Sequence, residues 1–137
     1  MKALGMDLGS KTLGLATSDA LGIIASPYKT LRYEDMDLLV DEVVNIISEL
    51  KIGELALGYP KNMNNTLGEA TERVELFKSK LEKKCDLEIH LIDERLSTVE
   101  ATNYLLDEDM SRKNRKKIVD AVAASIILDT YLRMRKD

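Results

Sequence analysis

The stretch Leu4-Gly5-Met6-Asp7-Leu8-Gly9 sets one carboxylate inside an apolar β-run and brackets it with glycines. An ionised carboxylate loses its water in such a setting. One reading is that Asp7 holds a hard cation through its oxygens; the plainer one is a strand end with an exposed Asp and a turn glycine. The glycines carry no Cβ, so a ligand or a second backbone can approach closely on either side. The rest of the chain decides between the two.

The first third reads as strands at residues 2–8, Leu13 to Thr17 and Ile23 to Leu31, with turns at Lys11-Thr12 and Ser18 to Gly22. Pro27 places the third strand at an edge or a bulge, and two short connections imply an antiparallel meander. The period then changes. Val40, Val43, Val44, Ile47 and Leu50 recur at helical spacing, and Gly53 follows at the helix end. A short strand, Glu54 to Leu57, runs into Gly58-Tyr59-Pro60 and a polar loop holding Asn62, Asn64 and Asn65, residues that favour turns. A second amphipathic helix carries Ala70, Val74, Phe77 and Leu81, and a fifth strand, Leu87 to Ile92, ends in Asp93-Glu94-Arg95. Ser97 and Glu100 are spaced as a capping box for a helix with Ala101, Tyr104 and Leu105 on its apolar side. Asp107 to Asn114 reads as a charged loop and Lys116 to Met134 as the last helix. Strands four and five each follow a helical crossover and should lie parallel. The expected fold is α/β, with a central five-stranded mixed sheet flanked by helices and residues 1–137 forming one domain.

Composition narrows the function. Hydrophobic residues at 45% and charged residues at 32% are those of an ordinary globular chain. The longest apolar run, Ala121 to Leu128, is too short to span a bilayer, and the N-terminus opens on a strand rather than a signal core, so no membrane role is expected. The single Cys85 has no disulfide partner and fits a reducing cytoplasm. A net charge of −4 argues against a generic nucleic-acid coat protein but leaves room for a local basic site.

Three acidic positions have unusual settings. Asp7 lies on the first strand, Asp93-Glu94 ends the last one, and Asp120 sits between Ile118-Val119 and Ala121-Val122 on the final helix. Asp120 shares a helical face with Ala124, Ile127 and Tyr131, so it should point at the sheet. A carboxylate on a packing face needs a partner or a cation. A Lys or Arg partner is the structural alternative, whereas three such acids from three elements describe a divalent-metal cage. Oxygen ligands without histidine suit Mg²⁺ or Mn²⁺, one or two ions, which would activate water and stabilise the leaving oxygen in phosphodiester hydrolysis. His90, the one histidine, sits inside a strand and reads as structural. Arg112-Lys113-Asn114-Arg115-Lys116-Lys117 holds five basic residues in six, beside the helix of Asp120. It is either a solvated helix start or a grip on phosphate backbone. Lys11 and Arg95 add positive charge near Asp7 and Glu94, although Arg95 can equally pair with Asp93 or Glu94.

Taken together these residues resemble the YqgF (RuvX) family. The likeness rests on Gly5-Met6-Asp7-Leu8-Gly9-Ser10-Lys11 through Gly14, Ala16 and Ser18-Asp19, then Pro27 with Thr30, and Gly58-Tyr59-Pro60 followed by Asn62. It continues through Asp93-Glu94-Arg95-Leu96-Ser97-Thr98 and ends on Asp120-Ala121-Val122-Ala123-Ala124-Ser125-Ile126-Ile127-Leu128. The resemblance implies a ribonuclease H-like fold and a cytoplasmic bacterial nuclease with a carboxylate metal site, described as a Holliday junction resolvase or as maturing the 5′ end of precursor 16S rRNA. By motif position Asp7 and Asp120 carry over as metal-binding acids, and the Asp93-Glu94 pair supplies the third, with Glu94 favoured. Thr12 stands where the family commonly has a second basic residue, and Asn65 where glycine is usual.

The leading expectation is a Mg²⁺-dependent endonuclease on structured RNA such as precursor rRNA, with Asp7, Glu94 and Asp120 as ligands. Lys11, Arg95, Arg112, Lys113, Arg115 and Lys116 would hold the nucleic acid. Cleavage of branched DNA would use the same residues in a homodimer, whereas the RNA reading allows a monomer. Asp-x-Gly-Ser-Lys after a first strand also resembles the phosphate-gripping hairpin of actin-like kinases and chaperone ATPases, but those bind nucleotide between two domains. A non-catalytic RNA-binding or transcription-associated module is the remaining alternative.

Overall fold

The computed structural model describes residues 1–59, 68–93 and 112–135, with side chains in the last segment from Asp120 onward. Five strands, β1 (Ala3–Leu8), β2 (Thr12–Ser18), β3 (Ala25–Arg32), β4 (Glu54–Tyr59) and β5 (Ile89–Asp93), form one sheet in the order β3-β2-β1-β4-β5. β1, β2 and β3 pair antiparallel, and β4 and β5 add parallel to β1. The meander and the two crossovers are those expected from the sequence. The helices among the described residues are α1 (Met36–Leu50), α2 (Glu69–Glu82) and α3 (Arg112–Met134). None is long and apolar enough to cross a membrane.

Strand alternation divides the sheet into two unlike faces. Leu4, Met6, Leu8, Leu13, Leu15, Leu55 and Leu57 form one core with Leu39, Val40 and Val43 of α1 and Val74, Phe77 and Leu81 of α2. The other face is built from small residues. Ala3, Ala16 and Ala56 meet Ala124, Ile127, Leu128 and Tyr131 of α3, and Gly5 and Gly14 lie between them. A Cβ on Gly5 would stand 2.7 Å from the Ala124 carbonyl oxygen, and one on Gly14 would stand 2.0 Å from that of Asp120. The helix therefore rests on the strand backbone itself, at two points one helical turn apart.

Several boundaries differ from those read in the sequence. β3 begins at Ala25, not Ile23, because the Asp19 carboxylate accepts the Ile23 and Ile24 N–H groups at 2.7 and 3.2 Å and folds both residues into a turn. α1 ends at Lys51, a left-handed residue with φ 56°, rather than at a glycine. Gly53 lies beyond it, and its N–H donates to the Lys2 carbonyl. β5 starts two residues later than Leu87 and runs on through Asp93. α3 begins at Arg112, so the basic segment is part of the helix and not of a loop ahead of it. Pro27 lies on β3, an edge strand, next to a register shift in the ladder. The expected polar loop at 61–66 and the helix of Ala101, Tyr104 and Leu105 lie outside the described residues.

Replacing Gly14 with Ala forces a methyl group into the Asp120 carbonyl. The expected loss is about 3 kcal/mol or more, the upper end of overpacking effects. Gly9→Ala meets only Thr12, its hydroxyl at 3.2 Å and its carbonyl oxygen at 3.4 Å, and should stay within roughly 1 kcal/mol of the parent. Urea denaturation of the two variants side by side measures the difference.

Candidate active site

Asp7 stands directly opposite Gly14 in the β1–β2 ladder. Opposed residues of an antiparallel pair project to the same face, with Cα atoms about 4.5–5.5 Å apart. Since the Cβ direction of Gly14 runs into the Asp120 backbone, Asp120 lies over Gly14, one strand spacing from Asp7. Both acids are half-buried. A residue of β1 and a residue of the last helix thus meet on the small-residue face, and glycine at position 14 makes room for the meeting. Thr30 continues the same row across β3.

Asp93 lies on the opposite strand face. It pairs with Tyr59 in the β4–β5 ladder, and Tyr59 packs against the Leu-rich core. Ile92, one residue earlier, packs on the α3 face. Alternation therefore turns Asp93, which is exposed, toward the face that α1 and α2 cover. Glu94 and Arg95 lie outside the described residues, as do the side chains of Arg112, Lys113, Arg115 and Lys116. Lys11 is exposed in the turn between β1 and β2.

β1, β4 and β5 run parallel, so their carboxyl ends share one edge of the sheet, and Asp7 and Asp93 both lie toward it. That edge is where open α/β sheets place their ligands. Among the described residues no three Asp, Glu, His or Cys side chains form a metal cluster. The described donors are two half-buried carboxylates on one face, and this hard, oxygen-only pair fits one side of a Mg²⁺ or Mn²⁺ shell. His90 lies apart, its ring tilted against that of Tyr131 at 4.8 Å between centroids, a packing role as the sequence indicated.

Two features had no local signal in the sequence. Tyr33 donates its phenolic O–H to the Gly9 carbonyl at 2.6 Å. Glu54, read only as the start of an apolar strand, accepts the Tyr131 hydroxyl at 2.9 Å and pairs with Arg135, which also donates to the Gly22 carbonyl. The Glu54 cluster anchors the far end of α3 and leaves its Asp120 end to the acids.

A mixed five-stranded sheet in this order, with an acid near the carboxyl end of β1 and another on the covering helix, defines a ribonuclease H-like α/β fold. Solved structures agree. The chain superposes on Thermus thermophilus RuvC in complex with a Holliday junction substrate with a TM-score of 0.60 at 14% identity, over 99% of this chain and 96% of that one. On the Fowlpox virus resolvase, solved with substrate Holliday junction DNA, the TM-score is 0.59 at 10% identity, over the full length of both chains. The RuvX family model, described as Holliday junction resolvase, matches residues 1–134. This chain belongs to the RuvX family. It is 47% identical over 134 residues to a protein of Oceanobacillus iheyensis named "Putative pre-16S rRNA nuclease", covering 96% of this chain and 98% of the relative. A protein of Geobacillus kaustophilus with the same name is 43% identical over 138 residues, covering 99% of this chain and all of the relative.

Proposed function

We propose that this chain is a divalent-metal-dependent endonuclease that hydrolyses phosphodiester bonds of structured RNA, and that its substrate is the 5′ end of precursor 16S rRNA. The observation that carries the site is the meeting of Asp7 and Asp120 over Gly14. The names of the full-length relatives support the substrate. Residues 1–137 act as one cytoplasmic domain, as monomer or homodimer.

Asp7 and Asp120 hold the cation between them, and Glu94 is the third acid. The strand parity supports Glu94 over its neighbour, because Asp93 faces away from the α3 side. One or two Mg²⁺ or Mn²⁺ ions at this position supply Lewis-acid activation of water and neutralise charge on the leaving oxygen. The protein's own task is placement. The packed backbone of α3 fixes Asp120, and the β1–β2 ladder fixes Asp7. Lys11 in the turn and Arg95 after β5 contact phosphates, as do Arg112, Lys113, Arg115 and Lys116 in the first turns of α3, so that the scissile bond lies over the acids. This local cation set offsets a chain of net charge −4.

Cleavage of branched DNA is the second reading, and the family model's own description favours it. It employs the same acids and requires two sites, hence a dimer. Incubating the protein with Mg²⁺ against precursor rRNA and a four-way DNA junction in parallel separates the two. Preferred cutting of the rRNA is expected, and preferred cutting of the junction would overturn the substrate assignment.

The acids are tested one by one. Asp7→Asn should lower cleavage by at least the roughly 10²–10³-fold that loss of one charge-stabilising group produces, with its melting temperature close to that of the parent. Glu94→Gln should fall similarly, whereas Asp93→Asn should retain activity within a few fold. The reverse ranking of those two would reassign the third ligand.

A further inference from the structure

The turn between β1 and β2, Gly9-Ser10-Lys11, follows Asp7 by a single residue and carries Lys11. It is closed at its base by the Gly9 N–H, which donates to the Thr12 carbonyl at 2.7 Å. Packing does not support it on the side of α1. There an open groove of about 790 Å³ runs between the turn and the helix, lined by Lys11 and Arg32 and by Glu34, Asp35 and Glu42. A turn beside open space is held by its hydrogen bonds.

Two of those bonds come from one residue. Tyr33 follows the last residue of β3 and grips the turn at both ends. Its phenolic O–H donates to the Gly9 carbonyl at 2.6 Å, and its backbone N–H donates to the Lys11 carbonyl at 3.0 Å. The ring itself packs partly against the Leu-rich core. Burial pushes the phenol above its ordinary range, so the O–H remains a donor at neutral and mildly alkaline pH. The next contacts along the chain tie the same segment to α1, because the Asp35 carboxylate caps that helix through the Asp37 N–H.

We infer that Tyr33 is a positioning residue for the cation site: its grip on the Gly9 and Lys11 carbonyls fixes the turn and, through it, Asp7. The inference rests on the proposed role of Asp7 as a ligand. Mg²⁺ and Mn²⁺ shells demand near-ideal geometry, and a site functions only when its ligands are held to within about half an ångström. Asp7 lies two residues before the gripped Gly9 carbonyl, in the last ladder pairs before the turn, so loosening the turn loosens its end of the ladder. The role assigned to Tyr33 is placement of the turn, not ligation.

The test is Mn²⁺ binding to the protein without nucleic acid, followed by electron paramagnetic resonance and calorimetry, on the parent, Tyr33→Phe, Asp35→Ala and Asp7→Asn. Tyr33→Phe keeps the ring and removes the hydroxyl. It should weaken Mn²⁺ by roughly three- to tenfold, the range one lost hydrogen bond gives, and speed amide exchange at Ser10 and Lys11. Asp35→Ala removes the α1 cap and should lower the melting temperature while leaving Mn²⁺ affinity unchanged. Equal Mn²⁺ affinity in Tyr33→Phe and the parent would overturn the inference alone, as would an equal loss in Asp35→Ala. Absence of saturable Mn²⁺ binding in the parent, or undiminished binding in Asp7→Asn, would overturn the metal reading beneath it.

Discussion

The contact on which this molecule depends is backbone on backbone: α3 lies on β1 and β2 where Gly5 and Gly14 have no side chains. On the opposite face, leucines and Phe77 fill the space between the sheet and α1 and α2. The asymmetry underlies the proposed site. A leucine-thick layer would separate a strand acid from a helix acid by the width of a core. The alanine and glycine layer lets Asp120 lie directly over the row that holds Asp7. Under the proposed metal reading, the two half-buried acids on this face supply the oxygen ligands that a hard divalent cation takes.

That arrangement rests on supports at both ends. At the far end of α3, Tyr131 and Arg135 are tied to Glu54, and Arg135 reaches the Gly22 carbonyl, so the helix cannot slide along the sheet without breaking a part-buried polar cluster. Ser18 adds a buried tie at the same end, accepting the Ala3 N–H at 2.7 Å. Toward the other end, Asp7 is set by the β1–β2 register and Asp120 by the packing of α3 over Gly14. These polar ties cluster at the end of α3 away from Asp120.

Much of this is legible in the chain itself. A lone acid in an apolar strand and a lone acid on an apolar helix face are anomalies of local pattern, so Asp7 and Asp120 stand out from the sequence alone. Strand directions follow from turn lengths and crossovers, and the order β3-β2-β1-β4-β5 from the structure. What pattern cannot supply is conformation set by distant or side-chain partners. Ile23 and Ile24 look like strand residues until the Asp19 carboxylate captures their N–H groups. Lys51 ends α1 in a conformation that glycine was expected to take. Which face Asp93 takes needs the pairing register of β5, which puts it beside Tyr59. Tyr33 and Glu54 work through partners 24 and 77 residues away, and no local signal marks either one.

The central claim is that Asp7 and Asp120 share one cation across the glycine-lined contact. A crystal grown with Mn²⁺, measured near the manganese absorption edge, tests it most directly. The expected result is an anomalous peak bonded to oxygens of both carboxylates at about 2.1 Å, typical of a small hard divalent ion. Manganese bound elsewhere, with Asp7 and Asp120 both uncoordinated, would contradict it.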